Sequence, residues 1–289
     1  MSEWRSRVRI LGILNVTRDS FSDGGKFAEP EAAVAHALRM AADGADVIDV
    51  GAESTHPDAE EVSAAEEIAR LTPVVRSLKE RGLCVSVDTY KPAVMRHVLA
   101  LGADFINDVT ALREPEAVTV LRDSQAHIVI MHSLASAARA ERVAHEPATM
   151  MMRVLAFFER RLAELAEAGI ARERLVLDPG MGLFLGDQAA ASLVVLRELP
   201  RLTALGLPVL VSTSRKSFIG ALLGRGGGVR PPGERGAGTL ATELWAAWQG
   251  VAYIRTHDVR ALRDALTTWN ALVGAETGSG AAGTAGAGR

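Results

Sequence analysis

Asp88, Asn107 and Asp178 each follow or interrupt a run that should otherwise be buried: Val85-Ser86-Val87-Asp88, Phe105-Ile106-Asn107 and Leu175-Val176-Leu177-Asp178. A carboxylate or amide in such surroundings needs hydrogen-bonding or charged partners. Brought to one place, the three would suit a flat ligand presenting a row of N–H donors. A second set is cationic. Ser214-Arg215-Lys216-Ser217 precedes the helical-looking residues 218–222, and Arg255-Thr256-His257 follows another apolar run. Positive side chains beside a helix start suit a phosphate-like anion. The glycine pattern of a Walker loop is missing before Lys216, so that motif is excluded. Asn15, Glu53 and His132 are further polar groups at the ends of apolar runs. For any one of these positions the plain alternative is a strand ending where its loop meets water.

The elements that must position these residues alternate along the chain. Short runs rich in Val, Ile and Leu recur at 8–14, 46–51, 83–88, 104–109, 127–131, 175–178, 208–213 and 252–256. They lack clean alternation, as expected of parallel strands covered on both faces. Helical patterns lie between them. Ser63-Ala64-Ala65-Glu66 reads as a capping box, followed by Ile68, Leu71, Val75 and Leu78 and a stop at Gly82, with Pro73 expected to kink the helix. Pro147 opens another helix, striped by Leu155, Phe158, Leu162 and Leu165. The pattern predicts a (β/α)8 TIM barrel, with a doubly wound open sheet as the alternative. In a barrel the carboxyl ends of all strands converge on one mouth, and the loops after the seventh and eighth strands commonly hold phosphate.

Composition narrows the function classes. The 289 residues are 48% hydrophobic and 23% charged, which fits a folded chain with a sizeable core. Lys plus Arg number 32 against 35 Asp plus Glu, so no general attraction to nucleic acid or an anionic membrane is expected. The single cysteine, Cys84, excludes an intrachain disulfide and a cysteine-based zinc site. No apolar run approaches the ~20 residues that span a bilayer. The charged start, without a signal-type apolar region, predicts a cytoplasmic protein. One domain is expected over 1–274, with a disordered Gly/Ala tail at 275–289. The Gly/Pro/Arg-rich loop 224–238 is expected to be mobile and without direct chemistry.

Taken in order, several segments resemble the dihydropteroate synthases of folate biosynthesis. These are residues 15–25, 46–57, Val85-Ser86-Val87-Asp88-Thr89-Tyr90-Lys91, Ile106-Asn107-Asp108-Val109, Asp178-Pro179-Gly180-Met181-Gly182, 214–220, Gly238-Thr239-Leu240-Ala241 and Arg255-Thr256-His257-Asp258. The resemblance implies condensation of a dihydropterin methyl diphosphate with 4-aminobenzoate, assisted by Mg2+ and carried out by a homodimer. It places the pterin against Asp88, Asn107, Met131, Asp178 and Lys216, and the diphosphate among Asn15, Thr55, Arg255 and His257. Asn15 would also ligate Mg2+. The aminobenzoate would meet Thr55, Phe184, Lys216 and Ser217. The first loop would be a mobile lid.

The chain departs from the family pattern at Arg18, Ala52 and His56, and in a turn through Leu183-Phe184-Leu185-Gly186-Asp187-Gln188 that is about two residues longer. That turn, with Met131-His132-Ser133 and Thr55-His56-Pro57-Asp58, is similar to the sulfonamide-insensitive Sul branch, where Phe184 would exclude the drug's extra bulk. Two other readings use the same barrel: a methyltetrahydrofolate:corrinoid methyltransferase, which needs no anion site, and a non-catalytic pterin-binding protein.

Overall fold

Val-, Ile- and Leu-rich runs become strands that share one sheet. In the computed structural model, which describes residues 8–16, 28–54, 59–135, 138–139, 146–224, 226 and 228–273, these are β1 (Arg9–Asn15), β2 (Val47–Gly51), β3 (Val85–Asp88), β4 (Phe105–Asp108), β5 (His127–Met131), β6 (Leu175–Asp178), β7 (Leu210–Val211) and β8 (Tyr253–Thr256). All pairings are parallel, in the order β6-β5-β4-β3-β2-β1-β8-β7. A parallel bridge between Leu177 and Val209, with Leu177 N–H donating to Pro208 O at 2.9 Å, joins the two ends of that order. The sheet therefore closes into a barrel, and the open-sheet alternative falls.

Helices cover its outer face. They are α1 (Ala28–Ala42), α2 (Ala64–Glu80), α3 (Pro92–Ala100), α4 (Pro115–Arg122), α5 (Met150–Glu167), α6 (Ala189–Arg197), α7 (Leu199–Thr203), α8 (Ser217–Leu223), α9 (Gly236–Trp248) and α10 (Val259–Leu272). Ser63 caps α2 as its sequence predicts, its hydroxyl accepting from Glu66 N–H at 3.2 Å. The helix runs on through Pro73. Pro147 starts a 3-10 turn that leads into α5, whose buried stripe is Val154, Phe158, Leu162 and Leu165. Gly12 in β1 has a packing role. A Cβ there would lie 2.9 Å from Met40 Sδ and 3.2 Å from Val259, so its bare backbone lets α1 and the start of α10 approach the barrel.

Inside the barrel, period two decides what lies deep and what lies at the mouth. Leu11, Val47, Phe105, Val129, Val176, Leu210 and Tyr253 form one apolar cluster that plugs the interior. Two residues farther along the same strands, the same face carries Asp49 after Val47, Asn107 after Phe105, Met131 after Val129, Asp178 after Val176 and Arg255 after Tyr253. The plug is thus a floor, and the layer above it is largely polar. The first-loop residues 17–27, Arg18 among them, Thr55 and His56, and the tail 275–289 lie outside the described residues.

Candidate active site at the carboxyl ends of the strands

Strand register sets out one wall of the site. Asn15 pairs with Gly51, Gly51 with Asp88, and Asp88 with Asn107, forming a single row across β1 to β4. Across the barrel Met131 pairs with Asp178. Gly51 leaves a gap in the row: a Cβ there would stand 3.5 Å from Asp88 Cβ and 4.0 Å from Asn15 Oδ1. Asn15, Asp88, Arg255 and His257 line a cavity of about 230 Å3 together with Ile13, Glu53 and Ser54.

Acids gather around one arginine on the floor. Arg255 Nε donates to Asp49 Oδ2 at 2.5 Å and its Nη2 to Asp88 Oδ2 at 2.9 Å. Asn107 Nδ2 reaches Asp49 Oδ2 at a long 3.4 Å. Asp49 Oδ1, Asn107 Oδ1 and Ser86 Oγ are buried with no hydrogen-bond partner among the described residues. Such orphaned acceptors are costly unless a bound molecule completes them. Burial raises the Asp88 carboxyl against the pull of Arg255, with Asp49 adding to the rise. Burial also pushes Asp178 up to about 6, although Gly180 N–H donates to its Oδ1 at 2.8 Å and Lys216 lies near.

The turn after β6 is built to hold Asp178 and Phe184. Gly180 has a φ of 68°, and a Cβ on it would lie 2.3 Å from His132 O, so a side chain cannot be accommodated. Phe184 is buried against Val109 and Met131, and its carbonyl accepts from Leu134 N–H at 3.0 Å. Lys216 Nζ stands 4.9 Å over the Phe184 ring. Burial, with Arg255 next, lowers Lys216 to about 8. Ser217 opens α8, and its Oγ and the Lys216 stem both border Gly182. His132 is a post rather than a cavity group. It is buried against Phe157 and its Nδ1 faces Pro179 O at 3.3 Å.

The cationic set is less cationic than its sequence implies. His257 Nδ1 lies 2.9 Å from Ser214 Oγ, and burial, reinforced by Arg215, Arg255 and Lys216, pushes its imidazole down to about 3. It is therefore a neutral hydrogen-bonding group in the free protein. Arg215 is solvent-exposed and takes a φ of 58°.

Three contributors escaped the sequence reading. Asp49 had a legible signal, a carboxylate inside the apolar run Val47-Ile48-Asp49-Val50. Arg235, within the loop expected to be bland, is buried and donates to Arg215 O and Arg230 O, each at 2.7 Å, which fixes the turn before Lys216. Lys91 bridges Glu53 and the buried Glu67, holding Glu53 toward the wall of α2 and α3. For the last two, nothing in the sequence marked which partner they would meet.

The chain matches the pterin binding enzymes over residues 11–257. It is 47% identical over 264 residues to dihydropteroate synthase type-2 of Escherichia coli, covering 91% of this chain and 95% of that protein. Identity to the type-3 dihydropteroate synthase of Escherichia coli is 44% over 265 residues, covering 91% and 99%. The structure superposes on dihydropteroate synthase from Xanthomonas albilineans in complex with 7,8-dihydropteroate with a TM-score of 0.81, at 42% identity and over 92% of this chain and 94% of that one.

Proposed function

From the premise that this chain belongs to the dihydropteroate synthase family, we propose how its pocket divides the work of the reaction. The family reaction joins a (7,8-dihydropterin-6-yl)methyl diphosphate to 4-aminobenzoate, giving dihydropteroate and diphosphate. The observation that carries the assignment is the set of orphaned acceptors on the barrel floor, Asp49 Oδ1 and Asn107 Oδ1, beside the carboxylates of Asp88 and Asp178. The donor-rich edge of a pterin supplies what those atoms lack. Met131 and Lys216 bound its faces.

The diphosphate lies toward Asn15, Arg255 and His257; the family likeness adds Thr55, which lies outside the described residues. Arg255 uses two of its donors on Asp49 and Asp88 and has others to offer. His257 contributes a neutral N–H. The donor set also suits magnesium. Among the described residues no cluster of three His, Cys, Asp or Glu side chains could hold a metal. A hard oxygen ligand, Asn15 Oδ1, faces the gap above Gly51, where substrate oxygens and water would complete the shell. When bound, the ion would supply charge neutralisation for the leaving diphosphate.

Three acidic side chains, Asp49, Asp88 and Asp178, face two basic ones, Arg255 and Lys216. The surplus favours positive charge on the pterin. Heterolysis of the methylene C–O bond sends its electron pair to the diphosphate, and the cation left on the pterin methylene is stabilised by the carboxylates. The arylamine lone pair then forms the C–N bond, and the nitrogen releases a proton. Ser217 Oγ and the start of α8 receive the aminobenzoate carboxylate. No protein nucleophile is needed.

The same reading makes the enzyme sulfonamide-insensitive. Phe184 is a wall fixed by Val109, Met131 and the Leu134 hydrogen bond and topped by Lys216. The reading also extends to a cytoplasmic homodimer. No helix among the described residues is long and apolar enough to cross a membrane. Trp245, Trp248 and Leu272 expose apolar surface on α9 and α10, which a second copy would cover. Diphosphate release measured with each substrate alone and with both tests the assignment. Release only with both supports it; release from the pterin substrate alone at the same rate overturns it.

A further inference from the structure

We infer that Arg161, on α5 outside the barrel, is a positioning residue for the aminobenzoate side of the pocket: with Asp108 it clamps a strained turn after β4 and so holds the Phe184 wall against bulky competitors. The inference rests on the reading that Phe184 discriminates against sulfonamides and adds the device that keeps it in place.

Ala111 and Leu112 have φ values of 56° and 59°, and both are fully buried. A residue with a Cβ seldom takes a left-handed conformation, and a leucine there is an outlier. Here two stand in succession, with no glycine or asparagine beside them. Strain of this kind persists only where the surroundings over-determine it. They do so from two sides. The buried Asp108 carboxyl accepts from Thr110 N–H and Thr110 O–H at 2.7 Å each and from Leu112 N–H at 2.9 Å. Burial raises that carboxyl, and the Thr110 and Leu112 donors, with Arg161, draw it back. From outside, Arg161 Nε donates to Ala111 O at 2.8 Å and its Nη2 to Leu112 O, while Nη1 donates to Glu164 Oε2 at 2.7 Å. The guanidinium thus pins both carbonyls of the left-handed pair, a planar two-pronged grip that a lysine cannot copy.

The two ends of this turn converge on one side chain. Before it, Val109 packs against Met131 and Phe184. After it, Arg113 Nη1 donates to Ala135 O at 2.9 Å, next to Leu134, whose N–H holds the Phe184 carbonyl. Ring and backbone of Phe184 are therefore braced through a single turn. Without the Arg161 grip the left-handed pair relaxes, Val109 and Arg113 move with it, and the wall yields to a bulky substituent. The substrate carries no such substituent and is little affected.

The test compares full-length wild type, Arg161→Met, Phe184→Leu and the double variant in diphosphate release with both substrates. Two inhibitors are used: sulfanilamide, close to 4-aminobenzoate in size, and sulfamethoxazole, which adds a ring on the sulfonamide nitrogen. The readout is Ki for sulfamethoxazole divided by Ki for sulfanilamide, a ratio that loss of folded enzyme does not move. In Arg161→Met it is expected to fall about tenfold, roughly the worth of one hydrogen bond, with KM for 4-aminobenzoate changing much less. The double variant should fall no further than the larger single effect, because both substitutions act on one wall. A ratio lowered in Phe184→Leu but unchanged in Arg161→Met overturns the clamp and leaves the Phe184 reading standing. Additive losses also overturn it, since they place the effect of Arg161 elsewhere. A ratio unchanged in Phe184→Leu rejects the Phe184 reading itself and takes the inference with it. If Arg161→Met does not fold, Arg161→Lys, which keeps the charge and loses the two-carbonyl grip, decides by the same ratio.

Discussion

Arg255 grips Asp49 from six strands' worth of sequence away, Nε to Oδ2 at 2.5 Å, and holds Asp88 with its other arm. One guanidinium thus organises acids from two neighbouring strands, and its removal would leave them facing each other. Arg255→Met is expected to cost about 3 kcal/mol of stability near pH 8, the usual penalty for stranding buried charge. Without the arginine the Asp88 carboxyl, already raised by burial, rises further above its unfolded value. Protonation relieves the strain, so the deficit shrinks toward pH 5 and grows as pH rises. Urea unfolding at the two pH values checks this; a deficit independent of pH would contradict it.

Asp178 must be ionised to accept pterin N–H groups. Burial holds it near 6 in the free protein, and ligand donors favour the charged form. Below that value binding must first expel a proton, so pterin affinity should fall by about tenfold per pH unit. Above it, this group adds no further dependence. Asp178→Asn should bind weakly and lose the part of the acid limb centred near 6, leaving only what Asp88 contributes, as read by calorimetric titration from pH 5 to 8.

Lys216 titrates at the other end of the range. Its pKa, lowered to about 8, means that the positive charge is lost as the solution becomes more alkaline. Inorganic pyrophosphate should therefore inhibit less strongly above pH 8, because the anion site loses the field of a cation next to Arg255. Lys216→Gln should remove this limb and weaken inhibition at pH 7. An unchanged alkaline limb in that variant would assign it to another group.

Phe184→Ala opens the wall beneath Lys216. Truncating a buried phenylalanine costs about 3–5 kcal/mol, so Phe184→Leu is the better probe. Growth of a strain lacking its own synthase, complemented with the wild-type or Phe184→Leu chain, should show sulfonamide tolerance in the first and increased sensitivity in the second. Equal tolerance would move the discrimination elsewhere.

Arg235→Lys tests how firmly the Lys216 turn is held. The guanidinium donates to two carbonyls, Arg215 O and Arg230 O, in a geometry that a lysine cannot reproduce. The expected result is a KM increase of about tenfold for the diphosphate substrate, roughly the loss of one such bond, with thermal stability lowered.

Much of this protein was written locally. The eight apolar runs, the Ser63 cap and the polar residues at the strand ends are short-range signals, because strand period and helix capping involve residues only a few positions apart. The family likeness of the segments around Asp88, Asn107, Asp178, Lys216 and Arg255 likewise needed only their order. Period two even marked Asp49, which lies on the inward face shared by Val47. Closure through the Leu177–Val209 bridge, the hold of Arg255 on Asp49 and Asp88, the Arg235 clamp and the contact of Ser214 with His257 were decided by tertiary structure. Each joins groups from separate elements, and which donor meets which acceptor depends on barrel register and shear rather than on neighbouring residues.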